Sequence, residues 1–163
     1  MIILSIDSGI EKTGYAVFDK GLKGTSDFEY ISSGLIQTSR TKTTEQRLLE
    51  IYQNLEKIIV LFKPKIVVIE QLFFFKNQKT IIKVSQAQGV VMLLAAMKKI
   101  EAEFLTPPQI KSSVTGFGRS DKKSVQKILK LTLQLDKELK QDDQADAIAC
   151  GLAYCYLNKT LVK

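Results

Sequence analysis

Apolar residues recur along this chain first in continuous or alternating runs and then, from residue 43, at helical spacing. Ile2 to Asp7 is an apolar run closed by an acid, and Ser8-Gly9 supplies a turn into a second run, Thr13 to Asp19. Gly21 and Gly24 interrupt the pattern before a third run, Phe28 to Thr38, in which Tyr30, Ile31, Leu35 and Ile36 alternate loosely. Connections this short predict an antiparallel meander, because a parallel return needs a crossover of about a dozen residues. The period then changes: Leu48, Ile51, Tyr52, Leu55, Ile58, Ile59 and Phe62 mark one face of a helix. Thr43 with Gln46 has capping-box form at its start, and Pro64 ends it.

Ile66 to Glu70 is again an apolar run ending in an acid, and strand-helix-strand order predicts a parallel neighbour for the first strand. A second helix is predicted from about Gln78 to Ile100, then a short strand at Phe104-Leu105 before Pro107-Pro108. Gln109 to Gly118 reads as helix and loop, Ser120 as the cap of a helix carrying Val125, Ile128 and Leu129, and Asp142 to Leu157 as a last helix. The expected fold is α/β, a mixed five-stranded sheet of three antiparallel strands plus two parallel, with helices on both faces. No repeat, low-complexity tract or linker divides the 163 residues, which suit one domain, 1–163. Ile81, Ile82, Val84, Val90, Val91, Leu93, Leu94 and Met97 are more apolar positions than one helix face needs. Either that helix is buried in its own core or part of it forms a subunit contact.

Apolar stretches of about five to eight residues are too short to span a bilayer, and no leader pattern opens the chain, so an intracellular, soluble protein is expected. Cys150 and Cys155 lie on different faces of a helix, which predicts buried thiols in place of a disulfide. The net charge is +7, unevenly placed: residues 76–99 hold Lys76, Lys79, Lys83, Lys98 and Lys99 with no acid, and residues 111–130 hold Lys111, Arg119, Lys122, Lys123, Lys127 and Lys130 against Asp121 alone. Such segregation suits either a polyanion site or a solvated lysine-rich face.

Four carboxylates change the picture most. Asp7 and Glu70 each close an apolar strand, and in the predicted sheet those two strand ends lie side by side; Asp143 and Asp146 sit one turn apart on one helix face. Each has a structural reading of its own, since Asp-Ser-Gly is turn chemistry and acids suit a first helical turn. Together they form a cluster that cannot stay ionised without a counter-charge, for which a divalent cation is the natural ligand. Two magnesium ions there would activate a water and stabilise the departing oxygen of a phosphodiester. The chain contains no histidine, which removes an imidazole base and leaves ordinary zinc ligation to rest on two poorly placed cysteines.

The segments Ile6-Asp7-Ser-Gly, Ile69-Glu70-Gln-Leu-Phe73, Gly116-Phe-Gly-Arg-Ser-Asp-Lys122 and Asp143-Gln-Ala-Asp146-Ala resemble, in order and spacing, those of the RuvC Holliday-junction resolvases; the chain is short and lysine-rich, like bacteriophage versions. The resemblance implies a ribonuclease-H-like fold and a homodimer that cuts four-way DNA junctions by paired, magnesium-dependent nicks, with manganese able to substitute. It implies that Asp7, Glu70, Asp143 and Asp146 hold the metal and catalyse together with Lys122. Lys111 and Lys122 match basic residues near the scissile phosphate, and Phe73 matches an aromatic beside unpaired bases. Lys76, Lys79, Lys83, Arg119, Lys123 and Lys127 complete the expected DNA contacts, in the cytoplasm of a bacterial or phage-infected cell. A branch-migration helicase as partner stays open. Three rival readings also stay open: a ribonuclease-H-like nuclease acting on RNA or RNA–DNA hybrid, a branched-DNA-binding module without catalysis, and an actin-like or sugar-kinase ATPase suggested by Asp7-Ser-Gly-Ile-Glu-Lys-Thr13-Gly.

Overall fold

A computed structural model describes residues 1–21, 28–72, 78–135 and 141–158, with the side chains of 78–80 left aside. Five strands, β1 (Ile2–Asp7), β2 (Lys12–Lys20), β3 (Phe28–Gln37), β4 (Ile66–Glu70) and β5 (Glu101–Leu105), form one sheet in the order β3-β2-β1-β4-β5. The first three are antiparallel neighbours, and β1, β4 and β5 run parallel, as the length of each connection requires. Helix α1 (Thr44–Phe62) links β3 to β4, α2 (Gln78–Met97) links β4 to β5, and α3 (Pro107–Thr115), α4 (Lys122–Thr132) and α5 (Asp142–Leu157) follow.

Strand alternation divides the core in two. Leu4, Ile6, Val17, Val67 and Ile69 face α1 and α2, where they meet Ile51, Leu55, Val91 and Leu94. Ile3, Phe18, Ile66 and Val68 face the other way, toward α3, α4 and α5, against Ile110, Leu129, Ile148 and Leu152. Parity therefore assigns Asp7 to the α5 side with Ile3 and Ser5, and Glu70 to the same side with Ile66 and Val68. In the parallel register Ile6 pairs with Ile69, so the two acids occupy the next step, side by side at the strand ends.

Two local expectations are corrected. The last strand begins at Glu101, ahead of Phe104; its exposed Glu101 and half-buried Glu103 hid it from an apolar count, although it pairs with β4 from end to end. Asp121, not Ser120, caps α4, its carboxylate accepting from the Ser124 N–H at 2.8 Å, while the Ser120 hydroxyl turns back to the Phe117 carbonyl at 2.8 Å. The capping residue at Thr43 is as expected, its N–H donating to Gln46 Oε1 at 3.1 Å. Both cysteines are free and buried. No described helix is long and apolar enough to cross a membrane.

Candidate active site

Helix α5 brings the second pair of carboxylates to the sheet end, and small residues let it do so. Gly14 is the β2 partner of Asp7, and a Cβ there would stand 2.5 Å from the carbonyl carbon of Asp143. Further along, a Cβ on Gly151 would stand 2.5 Å from Ser5 Oγ and collide with the Phe18 ring. The fully buried Ser5 hydroxyl donates to Ala147 O at 2.7 Å and lies 3.2 Å from Ala16 O, pinning the helix to β1 and β2. Ala145, Ala147, Ala149 and Ala153 continue this close approach. Two side-chain contacts fix the helix start: Lys12 Nζ donates to Gln141 Oε1 at 3.0 Å, and Gln144 Nε2 to Ser33 Oγ at 2.7 Å.

The electrostatics follow from that placement. Burial, and then the charges of Glu70, Asp146 and Asp143, push the Asp7 carboxyl up to about 8, against the opposing pull of Lys122. Burial and the charge of Asp146 push Glu70 up to about 7, with Lys122 and Lys111 acting in the opposite direction. Lys122 Nζ donates to Asp146 Oδ2 at 3.0 Å and lies 3.8 Å from Asp142 Oδ2. Partial burial works against its charge, but the hydrogen bond and charge of Asp146 outweigh it and raise the ammonium pKa. The Cys150 thiol beneath the cluster is pushed well up by burial and by the nearby Glu70 and Asp7.

A cavity of about 170 Å³ opens here, lined in part by Glu70, Lys111, Lys122 and Asp146 and floored by Ile110, Val125 and Ala149. A larger groove of about 640 Å³ adjoins Asp143 from the other side. Among the described residues no three acid or cysteine side chains close on one point as an ion cage. Magnesium does not require such a cage: it keeps several waters and uses one or two protein carboxylates with phosphate oxygens. The donor set fits that ion, being all carboxylate, mutually repelling and already drawing the Lys122 ammonium as its counter-charge.

Of the expected DNA contacts, Lys111 and Lys122 line the smaller cavity and Lys83 the larger groove. Arg119, Lys123 and Lys127 are exposed around α4 and line neither. Phe73 and Lys76 lie outside the described residues, as does the Lys79 side chain. Sequence reasoning missed the residues that seat α5, namely Ser5, Gly14 and Gly151. Their signal was the run of small residues from Ala145 to Ala153, which reads as an ordinary apolar helix until its neighbours are known.

Comparison with known proteins agrees with this architecture. The family described as crossover junction endodeoxyribonuclease RuvC matches residues 3–155. A protein of that name from Caldicellulosiruptor saccharolyticus is 42% identical over 154 residues, covering 94% of this chain and 92% of its own length. Its namesake from Natranaerobius thermophilus is 43% identical, covering 94% of each. The solved structure of Thermus thermophilus RuvC in complex with Holliday junction substrate superposes with a TM-score of 0.87 at 25% identity, over 96% of this chain and 94% of that one. With its five strands in ribonuclease-H-like order, its acids at the strand ends and its sequence matched almost end to end, this chain belongs to the RuvC family of crossover junction endodeoxyribonucleases.

Proposed function

We propose that the chain resolves four-way DNA junctions by paired, divalent-metal-dependent hydrolysis of phosphodiester bonds, and that residues 1–163 act as one nuclease domain. One observation carries the catalytic assignment: carboxylates from β1, β4 and α5 gather at one sheet end, where burial first and then their mutual charge hold Asp7 near 8. Asp7, Glu70, Asp143 and Asp146 are the residues that would hold magnesium, as two ions, with manganese as a substitute. When bound, such ions activate a water and neutralise charge on the departing oxygen. Lys122 and Lys111 present ammonium groups at the cavity edge, where each acts as a point charge on a phosphate. The apolar floor of Ile110, Val125 and Ala149 limits water around them, which strengthens every charge contact made there.

Lys83, Arg119, Lys123 and Lys127 extend the positive surface along the DNA arms, together with Lys76 and Lys79; Phe73 stacks on a base at the crossover. A two-fold dimer supplies the second cut in matching orientation. Ile82, Leu93 and Met97 of α2 and Val60 and Leu61 of α1 are large apolar side chains left exposed, and they supply the subunit contact. Cleavage of a synthetic four-way junction, compared at equal salt with linear duplex and RNA–DNA hybrid, tests this reading. Symmetrically paired nicks that require added Mg2+ are expected; preferential hybrid cleavage, or cleavage indifferent to metal, rejects it.

A further inference from the structure

The larger groove on the far side of Asp143 is unlike the catalytic cavity in charge. The start of β2 contributes Lys12, the β3–α1 connection Arg40, α1 Arg47 and α2 Lys83, against Glu11 and Asp143. Four cations from four separate places in the fold thus enclose about 640 Å³ of space.

Their partners show where charge is left over. Arg40 Nε is paired with Glu11 Oε2 at 2.8 Å. Lys12 donates to the neutral amide of Gln141 and feels the charge of Glu11 only at a distance, without an ion pair among the described residues. Lys83 and Arg47 form no ion pair among the described residues. Arg47 is the unusual one, being only 8% exposed. Its Nε donates to Thr38 Oγ1 at 2.8 Å, the Thr38 hydroxyl donates in turn to Ile10 O, and its Nη2 is buried without a partner. Burying a guanidinium costs several kcal/mol unless an anion accompanies it; the charge of Glu11 acts on Arg47 across the groove, but that carboxylate is already hydrogen-bonded to Arg40. Packing does not require it, since a leucine or methionine at this α1 position would extend the apolar face formed by Ile51 and Leu55.

From this we infer that the groove is a second anion site, built to hold a backbone phosphate of the DNA strand beside the scissile one, with Arg47 as its fixed buried charge and Lys12, Arg40 and Lys83 as its rim. It rests on the nuclease reading and deepens it. Asp143 belongs to both the groove and the carboxylate cluster, so a strand whose scissile phosphate sits over the carboxylates continues directly into the groove. The site needs no metal. It sets the register of the strand, while the acid cluster performs the chemistry.

A charge-deletion walk tests this. Single neutral methylphosphonates are placed in turn along the cut strand of a four-way junction, and affinity is measured by fluorescence anisotropy in EDTA. Wild-type protein is expected to lose affinity about ten-fold at one phosphate next to the scissile position, the effect of one charge-assisted hydrogen bond. In Arg47→Met that penalty should vanish while the penalties elsewhere persist. Because Arg47→Met removes a buried residue, the rim variants Arg40→Ala and Lys83→Ala carry the same test without disturbing the core, and each should shrink the same penalty. A penalty at that phosphate unchanged in all three variants overturns the groove assignment even if the junction is cut. A protein that binds four-way junctions no more tightly than linear duplex overturns the junction-resolving reading on which this inference rests.

Discussion

Helices α2 and α5 are both strongly apolar, yet they meet the sheet in opposite ways. Along α5, Ala145, Ala147, Ala149, Cys150, Gly151, Ala153 and Cys155 are buried, and the helix backbone lies against β2 at Gly14. Among the described side chains of α2 only Ala87, Val91, Leu94 and Ala95 are buried, while Ile82, Met92, Leu93 and Met97 stand out from the surface. Hydrophobicity alone does not separate the two; side-chain size does. Small residues allow a close approach that fixes the carboxylates of α5 relative to Asp7 and Glu70, and large ones leave α2 with an exposed apolar face, the one proposed above for the subunit contact.

The comparison breaks most sharply at the acids that α5 meets. Asp7→Asn keeps the shape of the site and removes one charge, so junction cleavage should fall about 10³-fold or more, at the upper end of the loss seen when a transition-state partner is removed. Junction affinity in EDTA should hold, since the metal-free Asp7 carboxyl, held near 8, is already largely protonated at neutral pH. Single-turnover cleavage beside an anisotropy titration checks both halves, and parallel losses of binding and cleavage would speak against a catalytic role.

Gly14→Val attacks the approach itself. The new side chain would collide with the backbone of Asp143, and overpacking of this kind costs about 1–3 kcal/mol. Cleavage should fall even at temperatures where the variant stays folded, because α5 must shift and carries Asp143 and Asp146 with it. Urea unfolding paired with a cleavage assay distinguishes this from plain destabilisation, which would leave the folded fraction fully active.

On α2, Leu93→Glu should leave monomer stability within about 0.5 kcal/mol, the usual range for an exposed position. Sedimentation should show the parent chain as a dimer and this variant as a monomer, and nicks in a junction should become uncoupled. Retained dimerisation would move the subunit contact to another face.

A pH slope reads the same acids through stability. Asp7 near 8 and Glu70 near 7 lie above their ordinary values of 3.8 and 4.5. The native state therefore keeps protons that the unfolded chain releases. Metal-free protein should lose stability as pH rises from about 4 through about 8 and level off above that. Asp7→Asn should flatten most of the slope, and added Mg2+ should stabilise the protein more at pH 8 than at pH 6, because binding releases those protons. Melting temperatures across the pH series in EDTA and in Mg2+ read this directly.

Much of this was legible in the residues because two periods and four acids carry it. The runs Ile2 to Asp7 and Ile66 to Glu70 expose both the strands and the acids that end them, and Thr43, Gln46 and Pro64 bound α1. The start of β5 was hidden because edge pairing is a backbone property that Glu101 and Glu103 do not advertise. Asp121 displaced Ser120 as a cap because the Ser120 hydroxyl finds a nearer acceptor in Phe117 O. Arg47 escaped notice for a different reason. Its position continues the face of Ile51 and Leu55, but a charged residue near the start of a helix reads as solvated, and only the tertiary fold buries it beneath a groove.

The central claim, that α5 is seated closely enough for its carboxylates and those of β1 and β4 to share divalent ions, is tested most directly by anomalous diffraction from Mn2+ in crystals of the protein with a four-way junction. The account predicts anomalous density bounded by Asp7, Glu70, Asp143 and Asp146 and facing a phosphate, and its loss in Asp7→Asn. Manganese bound elsewhere, or density at this site unchanged by Asp7→Asn, would contradict it.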